Sequence, residues 1–409
     1  MKIESFAVTG MHGTRGPIYL DFQKDLNILS GRNGAGKTTI LKMIWYFISG
    51  NLEKALIEVP FKAATLHTDL YVMSVTVNEN QDKPFEVDLK IKSKNALFNP
   101  LRQDEELDKV NSNVKHLLTK YMGGSYFFPT FRIIEGGFTI EKYGIKHELM
   151  QSLLTNKNNS DSNSIDLIND FKALSTKLSN NSHKFITSVS ASYINEILIS
   201  KYAEIMSLTQ PYQQEIRSLT DKIIENVTIK KGQVIIEEKL KMDAVTEFQK
   251  EVIVLEDIIN NLKKPLKRFH DSMKFFIKSY EFHFSKNVQF YDNRFKEELP
   301  EPNNIEKLLG IDFRRKFHDL NILSSGEKQI LNLVAYNSFF DDTIFFIDEP
   351  EISLHADWQR ILFRILMKQN PTNQFIISTH SPFIYSKYPD KELCIDPKSD
   401  RGNEDGYLQ

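Results

Sequence analysis

Two stretches of this chain have the residue types and spacing to hold phosphate. "GRNGAGKT" (Gly31–Thr38) fits the pattern G-x-x-x-x-G-K-[ST]. The apolar run "LNILS" precedes it and the helix-patterned "TILKMIWYFIS" follows, which is the strand, loop and helix setting that the pattern needs. The glycines let the backbone of Arg32, Asn33, Gly34, Ala35 and Gly36 wrap phosphate oxygens with its N–H groups, and the helix beyond adds its positive end. Lys37 is expected to reach the β- and γ-phosphates of a nucleotide. The Thr38 hydroxyl is expected to bind magnesium, and Thr39 closes the set of nucleotide-binding residues.

The second stretch is "LSSGE" (Leu323–Glu327), a Ser-Ser-Gly-Glu turn before an apolar helix, whose Ser324 stands 287 positions beyond Lys37. One sheet has room for one phosphate loop, so this turn is not expected to serve the same nucleotide within the same copy. Ser324, Ser325 and Gly326 of one copy are expected to close over the γ-phosphate held by Lys37 of another. A simple N-capped helix is the plainer alternative.

Carboxylates for the chemistry stand in "TIFFIDEPE" (Thr343–Glu351). Ile344–Ile347 read as a buried parallel strand, with Asp348 and Glu349 at its carboxyl end, where ligands sit in open α/β sheets. Asp348 suits a magnesium contact, and Glu349 is placed to polarise an attacking water as general base. A third apolar run, "FIIS", leads into Thr379 and His380. A histidine after a strand is usually structural. The company of the other motifs makes His380 the expected γ-phosphate sensor.

The elements that must position these residues fall into zones. Strand-like text fills "KIESFAVTG", "IYLDFQKDLNILSG", "LYVMSVTVN" and "PFEVDLKIK" up to about residue 150. "TNKNNSDSNSID" (Thr155–Asp166) reads as a linker. A mostly helical zone follows, with Val245, Phe248, Val252, Leu255, Ile258, Ile259 and Leu262 on one apolar stripe. "NVTIKKGQVIIEEK" interrupts it as a strand pair around a Lys-Lys-Gly-Gln turn. The expected division is 1–150 and 285–395 as two halves of one α/β head, 151–284 as a helical arm inserted between them, and 396–409 as a polar tail.

Composition limits the classes. The chain has 409 residues, 41% hydrophobic and 26% charged, with 52 basic against 54 acidic residues and a net charge of −2. That is enough for a sizeable core and two domains. It gives no global signal for nucleic acid, although "KKPLKRFH" (Lys263–His270) and "FRRKFH" (Phe313–His318) are local basic patches with aromatic neighbours. The single cysteine, Cys394, excludes a disulfide framework and is expected to be a buried or idle thiol. The start lacks the apolar core of a signal peptide, and no run of about 18 apolar residues suggests a membrane span. A cytoplasmic protein without a membrane partner is expected.

The motif order, phosphate loop, "LSSGE", "IDE", "SLHADW" (Ser353–Trp358) and His380, resembles the ABC-type ATPase superfamily. The resemblance covers roughly 1–150 and 285–395. It implies an α/β P-loop ATPase head with an inserted, mostly helical, short coiled-coil-like arm, using ATP and Mg2+. "LSSGEKQ", "DEPEISLHADWQ" and "STHSP" are similar to the RecF and overcoming-lysogenization-defect (OLD) branch, as is "SYFFPTFRIIEGG" (Ser125–Gly137). The last of these implies that Arg132 and Glu135 lie near the nucleotide or a subunit interface. The glutamine that completes the magnesium shell in the superfamily is not identifiable.

The branch is widely used in anti-phage defence, often with a Toprim nuclease after the ATPase. The chain ends 29 residues after His380, too few for a domain of roughly a hundred residues. The resemblance therefore points to ATPase subunits of two-component systems such as Septu, PARIS and the retron-linked ATPases. It implies a homo-oligomer, a head-to-head dimer or a larger ring, that holds a separately encoded nuclease or toxin. RecF-like or chromosome-maintenance work on DNA is the alternative, with DNA as a further candidate partner. The arm is too short for the long coiled coil of a chromosome clamp. A transporter motor fits poorly with the wide separation of Lys37 and Ser324.

Overall fold

The computed structural model describes residues 1–11, 16–78, 85–92, 118, 123–130, 133–134, 173–225, 227–230, 233–236, 242–285, 287–295 and 317–395. The linker Thr155–Asp166, Arg132, Glu135, Phe313–Lys316 and the tail 396–409 lie outside them.

The chain opens with β1 (Ile3–Thr9), β2 (Ile18–Asp21), β3 (Leu26–Ser30), α1 (Lys37–Ile48) and α2 (Leu52–Glu58). Next come β4 (Ala63–Thr68), β5 (Tyr71–Val77), β6 (Phe85–Ile91), β7 (Gly124–Phe128), β8 (Ile133–Ile134), β9 (His183–Phe185) and β10 (Ser188–Val189). The middle holds α3 (Ala191–Glu225), β11 (Val227–Lys230), β12 (Gln233–Ile236), α4 (Met242–Phe276), β13 (Tyr280–Phe284), β14 (Val288–Asp292) and β15 (His318–Asp319). It ends with α5 (Ser325–Phe339), β16 (Thr343–Asp348), α6 (Ala356–Gln369), β17 (Gln374–Ser378), α7 (Pro382–Tyr385) and β18 (Glu392–Cys394).

Two compact units result. The first holds Met1–Ser190, Leu323–Leu333 and Phe340–Gln409, and the second holds Ala191–Ile322 and Val334–Phe339. The first unit is an α/β head. Its six-stranded sheet runs β18-β3-β17-β16-β7-β9, with every pairing parallel. β3, β16 and β17 are buried at every residue, which is why they read as unbroken apolar runs. The register sets Asp348 beside Ser378 and Ser378 beside Leu29. The carboxyl ends of the three central strands therefore stand level.

An antiparallel sheet, β2-β1-β4-β5-β6, makes the second layer. Its strands alternate: in β4, Ala64, Leu66 and Thr68 are buried and the residues between them are half-exposed, so one face is covered. Helix α1 lies between the layers. Its Trp45 ring is 5.4 Å from both Phe127 and Phe185 beside the parallel sheet, and its Phe47 ring is 5.7 Å from Phe6 of β1. All residues from Met43 to Ile48 are buried, as in a helix covered on every side. Each such side chain contributes about 1.5–3 kcal/mol of transfer free energy, so the helix behind the phosphate loop is firmly anchored.

A polar thread crosses this core. The Trp45 indole donates to Ser125 Oγ at 3.1 Å, Ser125 Oγ lies 2.8 Å from His183 Nδ1, and His183 Nε2 lies 3.3 Å from the Leu118 carbonyl. Burial pushes His183 down to about 4, so the ring is neutral. It donates from Nε2 and accepts at Nδ1.

The second unit contains the arm. Helices α3 and α4 have 35 residues each, about 50 Å at 1.5 Å per residue. They are joined through the antiparallel pair β11–β12, where Lys230 stands opposite Gln233. On α4, Leu255 and Ile259 are buried and Val252, Ile258 and Leu262 half-buried, the apolar stripe legible in the sequence. At its base, Phe269 packs edge-on against Phe282 and Phe284 of β13, with centroids 5.5 and 5.7 Å apart.

These aromatic contacts explain why β13–β15 group with the arm, so the unit runs to Ile322 and not to the expected 284. At the other end, residues 183–189 are strands within an expected helical zone. β9 extends the parallel sheet next to β7, and three residues are too few to show a period. Cys394 is exposed at the end of β18, so of the two alternatives expected for it, buried or idle, burial does not hold. No helix of the described residues is long and apolar enough to cross a membrane.

Candidate functional site

At the carboxyl ends of β3, β16 and β17 lies a cleft of about 690 Å3, lined by Asn33, Gly34, Gly36, Lys37, Thr38, Thr39, Glu349, Ser378 and His380. Seven of the expected residues from the phosphate loop, base and sensor sets thus share a wall with Lys37 itself. Arg32 and Ala35 belong to the same loop, where the Ala35 N–H donates to the Arg32 carbonyl at 3.1 Å.

The loop fits a phosphate. Gly34 and Gly36 have φ of 84° and 90°, a left-handed backbone that glycine adopts without cost. A Cβ on Gly34 would meet nothing among the described residues within 4 Å, so the requirement seen there is for the dihedral angle. Helix α1 starts at Lys37 with no side-chain cap and no acidic residue in its first turn. Its N-terminal N–H groups and dipole therefore face an anion site. The Lys37 ammonium is buried and donates to the carbonyls of Gly31 and Arg32 at 2.6 and 3.0 Å.

Asp348 is the hub of the cleft floor. The Thr38 hydroxyl lies 2.9 Å from its Oδ1 and 3.1 Å from its Oδ2, and Thr130 and Ser378 also donate hydroxyl hydrogen bonds to it. The carboxylate is 1% exposed. Hard oxygen donors of this kind suit Mg2+, which takes one or two carboxylates and fills its shell with water and phosphate oxygens. Asp348 and Thr38 would hold it there. Among the described residues no cluster of three or more His, Cys, Asp or Glu offers another metal site.

Glu349 has φ 49°, a left-handed backbone that costs a non-glycine residue about 1–3 kcal/mol and clusters at functional sites. Its N–H donates to the Ser378 carbonyl at 2.9 Å, tying the turn to β17 where Glu349 lines the cleft. His380 is exposed one step beyond Thr379. Its backbone N–H donates to Glu351 Oε1 at 2.8 Å.

Ser324, Ser325 and Gly326 are not on this wall. They form the start of α5, where Ser324 and Glu327 make a capping box. The Ser324 N–H and Oγ both donate to Glu327 Oε2 at 2.8 Å, and the Glu327 N–H donates to Ser324 Oγ at 3.3 Å. Gly326 packs on the turn after β16, where an added Cβ would stand 2.5 Å from the Ser353 carbonyl oxygen. Gln329 Nε2 donates to the Pro350 carbonyl at 2.8 Å, fastening the same two segments.

Thr130, Ser378, Glu351 and Gln359 are the site residues that sequence reading missed. Thr130 and Ser378 stand beside recognised motifs, in "FFPTF" and "STHSP". The signal that identifies them is the strand register that brings both to Asp348.

Solved structures similar to this chain include the Smc head domain with an extended coiled coil bound to the C-terminal domain of ScpA from Pyrococcus furiosus. It is 13% identical, has a TM-score of 0.41 and covers 94% of this chain and 91% of that one. The SMC head domain from Thermotoga maritima is 10% identical with a TM-score of 0.42, covering 95% and 92%. The Smc head domain with a coiled coil and joint from Pyrococcus yayanosii is 12% identical with a TM-score of 0.40, covering 94% and 93%. The family model described as AAA ATPase domain matches residues 1–385. With its parallel sheet, phosphate loop and paired acids at the strand end, the chain is a P-loop ATPase and belongs to the AAA ATPase domain family.

Proposed function

We propose that this ATPase is a nucleotide-gated switch whose composite site is completed by a second copy. The carrying observation is that Lys37, Thr38, Glu349 and His380 line one cleft while the Ser324–Gly326 turn lies elsewhere on the head. Lys37 and the loop amides hold the β- and γ-phosphates. Glu349 takes the proton of an attacking water, and His380 senses the γ-phosphate. Mg2+, when bound, neutralises charge on the transferred phosphoryl group. The partner copy's signature turn closes the site, so hydrolysis is magnesium-dependent, slow and dependent on assembly.

In the cell, we read this switch as an oligomeric sensor and scaffold that controls a separately encoded effector, a nuclease or toxin, in prokaryotic anti-phage defence. Support comes from the likeness of "LSSGEKQ", "DEPEISLHADWQ" and "STHSP" to the OLD-like branch. The α3–α4 pair, about 50 Å long, is then the docking arm. A second reading, action on DNA in repair or chromosome maintenance, is favoured by Lys263, Lys264, Lys267 and Arg268 along one stretch of α4, two of them exposed and two half-buried.

The test is direct. Glu349→Gln should bind ATP, fail to hydrolyse it and accumulate as an associated species in mass photometry, and Lys37→Ala should neither bind nor associate. Wild-type hydrolysis by Glu349→Gln would remove the assignment of the base. Capture of the neighbouring gene's product with ATP supports the effector reading. Affinity for DNA without such capture supports the second.

A further inference from the structure

The imidazole of His380 is exposed, and among the described residues no side chain holds it. Its place is set by its backbone, and that backbone is held by Glu351. One oxygen, Glu351 Oε1, accepts the N–H of His380 at 2.8 Å and the N–H of Ser381 at 3.1 Å. The other oxygen, Oε2, is buried and has no hydrogen-bond partner among the described residues. Glu351 stands two residues after Glu349, on the same exit from β16. One turn of chain therefore carries both the base and the clamp on the sensor.

The clamp has a second strut. Ser381 Oγ donates to Gln359 Oε1 at 2.6 Å, and Gln359 Nε2 donates to the Leu354 carbonyl at 2.8 Å. Leu354 belongs to "SLHADW", and its N–H donates to the Glu351 carbonyl at 3.0 Å. The segment after β16 and the segment after β17 are thereby joined by side chains of Glu351 and Gln359 at His380 and Ser381.

We propose that Glu351 is the positioning residue for His380: it fixes the backbone that carries the imidazole into the cleft, through Oε1. The inference rests on the reading of His380 as the γ-phosphate sensor. It predicts that the acceptor matters and the charge does not. A histidine displaced by about an ångström loses on the order of ten- to a hundred-fold in rate.

The experiment uses the full chain and four variants: Glu351→Ala, Glu351→Gln, His380→Ala and the Glu351→Ala/His380→Ala double. Steady-state hydrolysis, affinity for a fluorescent ATP analogue and hydrogen exchange across 379–382 are measured. Glu351→Ala should lose about ten-fold or more in kcat, keep its nucleotide affinity and exchange faster at 379–382. Glu351→Gln, which keeps Oε1, should recover most of the rate and the slow exchange. The double should be no slower than His380→Ala. If Glu351→Ala does not fold, the comparison passes to Glu351→Asp, whose shorter side chain withdraws the acceptor and should reproduce the loss.

The inference is overturned by wild-type kcat in Glu351→Ala. Equal losses in Glu351→Gln and Glu351→Ala, or a double slower than His380→Ala, would overturn it as well. Wild-type hydrolysis by His380→Ala would remove the sensor reading itself. A slow His380→Ala beside an unaffected Glu351→Ala would remove only the clamp.

Discussion

The hydroxyl of Thr38 stands 2.9 Å from Asp348 Oδ1 and 3.1 Å from Oδ2, across 310 residues of sequence. It ties the first turn of α1 to the carboxyl end of β16. The phosphate loop and the acidic strand end are thereby held as one cleft floor, and the two groups offered to a metal already face each other.

Thr38→Val keeps the shape of the side chain and removes this hydroxyl. Nucleotide affinity measured in EDTA should stay near wild type, because Lys37 and the loop amides are intact. The gain in affinity on adding Mg2+ should shrink by about ten-fold or more, the scale of losing one charge-assisted oxygen contact. Titration of a fluorescent nucleotide with and without Mg2+ checks both halves. An unaltered magnesium effect would place the metal elsewhere.

Gly326 has a structural duty as well as its expected role toward a partner's nucleotide. An added Cβ would press on the Ser353 carbonyl at 2.5 Å, against backbone that cannot yield cheaply. Gly326→Ala should therefore destabilise the head by about 1–3 kcal/mol, read as a lower first thermal transition without nucleotide. An unchanged transition would show that the α5 start moves freely off the turn after β16.

His183 gives the head an acid-sensitive core. Its ordinary value of 6.5 falls to about 4 in the fold because burial disfavours the charged ring. Between those values the unfolded chain binds a proton that the folded chain does not, so stability falls as pH drops from 6.5 and the loss is complete near 4. The full effect is about 3 kcal/mol. Urea unfolding of the wild type should weaken steadily from pH 7 to pH 4.5, and His183→Gln should flatten that slope. Equal slopes would mean that other groups set the acid response.

Much of the head was legible because its parts are contiguous. β3, β16 and β17 are largely apolar runs, and the phosphate loop, Asp348, Glu349 and His380 expected at or just beyond their carboxyl ends do lie together there. The contacts that complete the site were hidden for one reason: they join segments far apart in the chain. Thr130 and Ser378 reach Asp348 only through the parallel register of β7, β16 and β17. Glu351 reads as one more acid in "DEPE" until its oxygen is seen under the His380 amide. β9, β14 and β15 were hidden differently: short strands carry little periodicity, and their partners, not their residues, assign them to a unit.

The central claim is that two copies build one nucleotide site. Two inactive variants test it most directly: Lys37→Ala, with a dead phosphate loop and an intact signature turn, and Ser324→Arg, with the reverse. Each alone should hydrolyse ATP at a small fraction of the wild-type rate. If the Ser324 turn of one copy serves the Lys37 loop of another, mixing the two should restore hydrolysis several-fold above either parent, with a rate that rises with total protein concentration. A mixture that shows only the sum of its parents, while mass photometry finds the two associated, would contradict a site shared between copies.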